Sequence, residues 1–177
     1  MASPPPASPH PRDVLQSFRF EVTLTDSPGT RSSAAADVRN SSTLGNGSFQ
    51  ECSGLDLQAD VREYLEGGRN DGVIRRVGRV KLEPLVLKRG MFAKSPGLQI
   101  DPVLWTWLQD MVAGKTPARR IDGTIHVFAS RREVPLATWR FTRGLPSKIT
   151  GPALNARSGE IAVEELHIMH EGLRLVS

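Results

Sequence analysis

The stretch EIAVEELHIMHEGLRL, Glu160 to Leu175, alternates apolar and polar side chains as a half-buried strand does. It also gathers carboxylates at Glu160, Glu164, Glu165 and Glu171 and imidazoles at His167 and His170, with no lysine or arginine before Arg174. Either this is a metal or catalytic cluster, or it is one strand of a surface that meets other surfaces. A metal site needs three or four converging ligands and a second layer of hydrogen bonds to hold each imidazole. The chain has 4 histidines in all, and one of them, His10, lies in a segment that can bury nothing. The reading is therefore a solvated or interfacial strand face with no bound metal. Ile161 and Val163 share one parity while Leu166 and Ile168 share the other, which predicts a β-bulge at Glu164–Glu165.

Around this strand the composition sets the frame. A chain of 177 residues holds one domain with a real core. Its net charge of +4 and pI near 9.7 are modest and spread along the chain, so specific nucleic-acid binding is not expected. The single cysteine, Cys52, excludes an internal disulfide framework and cannot alone build a thiolate metal site. No apolar run approaches the roughly 20 residues of a membrane span, so no membrane anchor is expected. The start, MASPPPASPHPRD, lacks the charged and apolar parts of a signal peptide, which predicts synthesis and assembly in the cytoplasm. Residues 1–13 read as a flexible Pro-rich arm, and 14–177 as one β-domain interrupted by a long Gly/Ser-rich loop at about 26–48.

Within that domain, Phe18, Phe20, Val22 and Leu24 mark one strand. Leu55, Leu57, Ala59, Val61 and Leu65 mark the apolar face of another, with Asp56, Asp60, Arg62 and Glu66 opposite. A strand around Val80 contains Pro84, which predicts an edge position or a bulge. The one helix lies in DPVLWTWLQDMVAG, with Asp101 as N-cap, Pro102 at the first helical position and Gly114 at the C-terminal cap. Val103, Leu104, Trp107, Leu108 and Met111 form its buried stripe. RIDGTIHVFAS, ATWRFTRG and IAVEELHIM supply further strands. The fold class is mainly β: an antiparallel sandwich or barrel-like domain of about seven or eight strands with one flanking α-helix.

No catalytic set emerges. Cys52 has no base in view and reads as a small buried thiol. GGRNDGVIRR, from Gly67, lacks the spacing and Lys-Ser/Thr ending of a phosphate loop. The charges are nevertheless segregated. Arg69, Arg75, Arg76, Arg79, Lys81, Lys88, Arg89 and Lys94 form a basic strip opposed only by Asp71 and Glu83, and the final strand is acidic. Such strips pair within one chain or between copies, and head-to-tail pairing between copies makes rings or filaments. Composition alone does not decide between these.

A resemblance does. SFRFEVTL, FQECSGLDLQADVREYLEGG, LVLKRG, LWTWL, WRFTRGLPSKITGPALNA and EIAVEELHIMHEGL together resemble the tube-forming tail proteins of contractile phages and extracellular contractile injection systems. The resemblance covers most of the chain beyond the arm and implies a non-enzymatic, cofactor-free structural subunit. Its partners would be copies of itself in stacked hexameric rings, a sheath protein, baseplate and tube-adaptor proteins, and cargo effectors in the lumen. The particle so implied would resemble a phage tail and be released from the cell. By position, the segment from Gly67 to Val80 corresponds to one that relatives extend toward an adjacent subunit or ring, with Val77-Gly78 where Pro-Gly is common. The subunit contact is accordingly expected at Gly67, Gly68, Arg69, Arg75, Arg76, Arg79, Lys88, Arg89, Glu164, Glu165 and Glu171. The length of the 26–48 loop raises the alternative of a baseplate tube-initiator ring. A soluble ligand-binding β-barrel is the more distant alternative, distinguished by being monomeric around an apolar pocket.

Overall fold

The computed structural model describes residues 17–28, 49–64, 72–91, 93–94, 99–129, 134–157 and 159–176. The expected arm (1–13) and most of the 26–48 loop lie outside the described residues. In chain order the elements are β1 (Phe20–Asp26), β2 (Glu51–Ser53), β3 (Leu57–Tyr64), β4 (Ile74–Leu82), β5 (Leu85–Gly90), β6 (Ala93–Lys94), β7 (Gln99–Ile100), α1 (Val103–Val112), β8 (Ile121–Phe128), β9 (Pro135–Thr150), β10 (Val163–Met169) and β11 (Gly172–Leu175). Among the described residues the domain is mainly β with one helix, and its strand pairs are antiparallel. The strand number exceeds the seven or eight expected. A 7-stranded sheet makes the body, while β3–β4 and β6–β7 form separate two-stranded ribbons.

Strand β9 organises the body. Its first half pairs with β8 on one side and β11 on the other, and its second half pairs with β10, which continues through β5 to β2. The two halves meet at Arg143, whose φ is 54° and whose backbone N–H donates to Asp122 Oδ1 at 2.9 Å. The sequence pattern ended this strand at Gly144, because Gly and Pro read as breakers. In the fold Gly144 is buried where a Cβ would stand 2.7 Å from Ile168 Cγ2, and Pro146 lies beside a bulge. Gly123 has a similar role: the Phe141 ring lies against it, 2.1 Å from where a Cβ would sit.

Alternation along the strands puts Val22, Leu24, Ile121, Ile125, Phe141, Leu85, Leu87, Leu166 and Ile168 into one buried cluster. Helix α1 adds Leu104 and Trp107 to it, while Val103, Leu108 and Met111 of the expected stripe are half-buried. Asp101 Oδ1 accepts from the Val103 N–H at 3.2 Å, so Asp101 serves the helix start from one position further out than expected. Gly114 ends the helix at φ 73°, its N–H donating to Met111 O at 3.0 Å.

The bulge expected at Glu164–Glu165 is absent. Strand β10 pairs with β5 without interruption from Val163↔Gly90 to Ile168↔Leu85. Glu164 shares the inward face with Leu166 and Ile168, whereas Ile161 precedes the strand and is exposed. Counting Ile161 as a strand residue, and a glutamate as outward-facing, produced the false phase shift. The bulge lies on the other flank: the β10–β9 register slips between His167 and Ile168, leaving Ser147 extra on β9. The Ser147 hydroxyl donates there to the His167 carbonyl at 3.2 Å.

Candidate assembly interface

The ribbon β3–β4 leaves the body at a tight root. Gly54 has φ 82°, and a Cβ on it would fall 2.1 Å from the carbonyl oxygen of Pro84. Pro84 is not inside a strand, as the sequence had suggested; it separates β4 from β5, where no ladder donor is required. The strand thus crosses at Glu83–Pro84 from the ribbon into the body.

Beyond that root the ribbon packs mainly on itself. Leu57 pairs with Leu82, Ala59 with Val80 and Val61 with Val77, so these residues share one face. Leu57 is 61% exposed, Val61 53%, Val77 76% and Val80 57%. The sequence placed Leu55, Leu57, Ala59, Val61 and Leu65 on one apolar face. Among the described residues of that set only Leu55 packs on the core, and Leu65 lies outside them. Alternation shows that a strand has an apolar side; it does not show what covers it. The β4 half of the stripe was missed because Gly78 and Arg79 together oppose Asp60, a bulge that shifts the parity between Val77 and Val80.

The opposite face is cationic. Arg62 faces Arg76, Gln58 faces Lys81, and the Arg76 guanidinium sits 5.1 Å from the Tyr64 ring centroid. On the stripe's side, toward the far end, Arg75 Nε donates to Glu63 Oε1 at 3.0 Å. Arg75, Arg76 and Arg79 are thus exposed on this ribbon, and Gly67, Gly68 and Arg69 lie outside the described residues.

The remaining expected contact residues are engaged within the chain. Glu164 Oε1 accepts from Arg89 Nε at 2.5 Å, and Glu164 Oε2 accepts from Trp105 Nε1 at 2.8 Å. Arg89 is 8% exposed and Glu164 2%, so both are withdrawn from the expected contact surface. Lys88 Nζ reaches Glu51 Oε1 and Oε2 at 3.0 Å and Glu165 Oε2 at 3.8 Å; the Glu51 hydrogen bond raises the Lys88 pKa. Glu165 also pairs with His167 Nε2 at 2.6 Å, the bond that chiefly holds its carboxyl below the usual range. Glu171 is shared by Arg120 Nη1 at 2.6 Å and Arg143 Nε at 2.7 Å. The basic and acidic strips meet inside one subunit, on β5 and β10.

An apolar cleft of about 410 Å³ opens beside the ribbon root, lined by Phe20, Cys52, Leu55, Ile125, Val127 and Trp139 among others. Burial pushes the Cys52 thiol up to about 11, so it is protonated at neutral pH. His170 is buried against the Phe141 ring in the turn between β10 and β11, with neither ring nitrogen in a hydrogen bond of good geometry. Among the described residues, no group of three or more His, Cys, Asp or Glu is placed to hold a metal, and no helix is long and apolar enough to cross a membrane.

A β-body with a packed core thus carries a ribbon whose apolar stripe is exposed among the described residues. Residues 16–174 match the family of the T4-like virus tail tube protein gp19, and the chain belongs to that family. Three solved structures share the fold at 22% identity. They are a chain of the anti-feeding prophage baseplate (TM-score 0.69, 97% of each chain covered), a chain of the PVC extracellular contractile injection system sheath–tube complex in its extended state (0.70, 94% of this chain and 93% of that one), and a chain of the anti-feeding prophage tube-terminating cap (0.69, 97% and 94%). The sequence has no match among curated proteins.

Proposed function

We propose that this chain is the repeating subunit of the inner tube of a contractile injection system or phage-like tail, with hexameric rings stacked around a lumen. The observation that carries this reading is the ribbon: Leu57, Val61, Val77 and Val80 are exposed together on a strand pair that touches little of its own body. Such a stripe on an edge-rich ribbon invites association unless a partner covers it. The occupant is a second copy of the chain. The same subunit offers an unfilled apolar cleft at Phe20, Leu55, Ile125, Val127 and Trp139, and a protrusion and a cleft on different parts of one surface give head-to-tail contacts that close into rings or extend into filaments. Arg75 continues the stripe's side of the ribbon, Arg76 and Arg79 charge its opposite face, and Lys88, Glu165 and Glu171 stay partly exposed on the body. Sheath and baseplate proteins are the outer partners, as in the assemblies named for the similar structures, and the assembled particle carries the subunit out of the cytoplasm.

Negative-stain imaging of the purified chain tests this. Rings or stacked tubes support the reading, and a monodisperse monomer at high concentration contradicts it. A first ring on the baseplate is the second reading, favoured by the long 26–48 segment, and it predicts single rings that do not elongate.

A further inference from the structure

The outer face of the β1–β8–β9–β11 half of the sheet carries a row of side chains that the ribbon does not use. In register across the strands it runs Thr23, Thr124, Arg140, Arg174. Arg140 and Arg174 are exposed and directly opposite each other, and like charges so placed repel. The other cations nearby have carboxylate partners: Arg119 pairs with Asp26 at 2.6 Å, and Arg120 and Arg143 share Glu171. Among the described residues, neither Arg140 nor Arg174 has a carboxylate partner. They line a surface depression of about 500 Å³ with Thr142, Glu171, Gly172 and Val176. Both oxygens of that glutamate are already held by Arg120 and Arg143.

We propose that this sheet face binds acidic polypeptide, with Arg140 and Arg174 receiving its carboxylates. The guanidinium fork matches a carboxylate two donors at a time, and threonine hydroxyls beside it supply neutral donors. Two free cations make too small a basic footprint for a phosphate backbone, whose binding rests on many such contacts. The aromatic neighbours of Arg140 in β9, Trp139 and Phe141, point into the core, so no platform for stacking bases adjoins the pair. The side chains project from a sheet face, with Arg174 on β11, whose only strand partner among the described residues is β9. The inference goes beyond the tube reading and does not depend on it.

The test is fluorescence anisotropy of a labelled decaglutamate peptide at low ionic strength, using the full chain in whatever assembly state it adopts. The double variant Arg140→Gln/Arg174→Gln should weaken binding by about tenfold or more, since two charge-assisted contacts are lost. Arg157→Gln, exposed in the loop before β10, should leave it unchanged, and a labelled decathymidylate should bind more weakly than decaglutamate. Unchanged affinity in the double variant, an equal loss in Arg157→Gln, or tighter binding of decathymidylate each overturns the proposal. If circular dichroism shows that the double variant has lost its fold, Arg174→Gln alone must show the loss. A chain that binds the peptide but forms no rings refutes the tube reading and leaves this site standing.

Discussion

Arg89 and Glu164 face each other across β5 and β10 with Nε 2.5 Å from Oε1, and Trp105 of the helix donates to the second carboxylate oxygen. This pair ties the sheet to the helix at a largely buried point. Removing one partner of a buried ion pair leaves an uncompensated charge and costs about 3–5 kcal/mol, whereas replacing both with apolar groups is often neutral. Glu164→Gln should therefore lower stability sharply in urea unfolding, and Arg89→Met/Glu164→Leu should recover much of the loss. A single variant as stable as wild type would mean that the pair does not hold the helix to the sheet.

Trp107 is 2% exposed and its indole N–H donates to the Arg119 carbonyl at 2.9 Å. Trp107→Ala empties the centre of the helix–sheet contact and should cost about 3–5 kcal/mol, a large share of the roughly 5–15 kcal/mol that holds a domain together. Little soluble protein should result. Normal yield with an unchanged melting temperature would misplace the core.

Stability should fall on mild acidification through His170. Burial lowers its pKa from the ordinary 6.5, outweighing the backbone of Glu83 and Gly172, which favours the charged ring. The unfolded chain then binds a proton that the folded chain resists, so stability is full above pH 6.5 and declines as pH falls below it. Cys52 acts at the other end: its raised pKa makes stability decline as pH rises above 9.0 toward about 11. Melting temperatures across pH should show both slopes, with the acid slope reduced in His170→Phe and the alkaline one in Cys52→Ala. Slopes unchanged in both variants would assign the pH dependence to other groups.

Gly54→Ala tests the ribbon root. Its φ of 82° disfavours any side chain, and the added Cβ meets the Pro84 carbonyl. The substitution should destabilise by about 1–2 kcal/mol from backbone handedness alone, more with the clash, and should impair assembly more than Gly72→Ala, where a Cβ meets nothing within 4 Å. Equal behaviour of the two variants would remove the root from the account.

How much of this was legible in the residues depended on whether a local rule decided the outcome. Asp101 and Gly114 bracket the helix because capping is local. The fold class followed from alternation, and family membership from spaced motifs. Glu164 was misread because its neutralising partner, Arg89, is 75 residues away in sequence. The far half of β9 was hidden by Gly144 and Pro146, whose tolerance depends on Ile168 and on the bulge at Ser147. The ribbon's apolar stripe was half visible, at Leu57 and Val61, but its exposure is a tertiary fact. Gly67, Gly68 and Arg69 lie outside the described residues, and their contact role remains a proposal.

Reversing Arg75, Arg76 and Arg79 to Glu should leave the subunit folded and weaken assembly modestly, since an exposed ion pair is worth only about 0.2–1 kcal/mol. A ring repeats each contact, so the effect accumulates, and wild-type assembly should weaken in the same direction at high salt, where screening shortens to about 3 Å at 1 M. Assemblies of the reversed variant as long and as salt-resistant as wild type would make these arginines ordinary solvated surface.

The central claim is that the apolar stripe of the ribbon carries the contact between copies. Sedimentation velocity of wild type beside Val61→Asp/Val77→Asp tests it most directly, with circular dichroism as the check on folding. Both positions are exposed, so the variant should keep its fold. Rings or larger species are expected for wild type and a folded monomer for the variant. A variant that sediments as wild-type rings, or a wild type that stays monomeric, would contradict it.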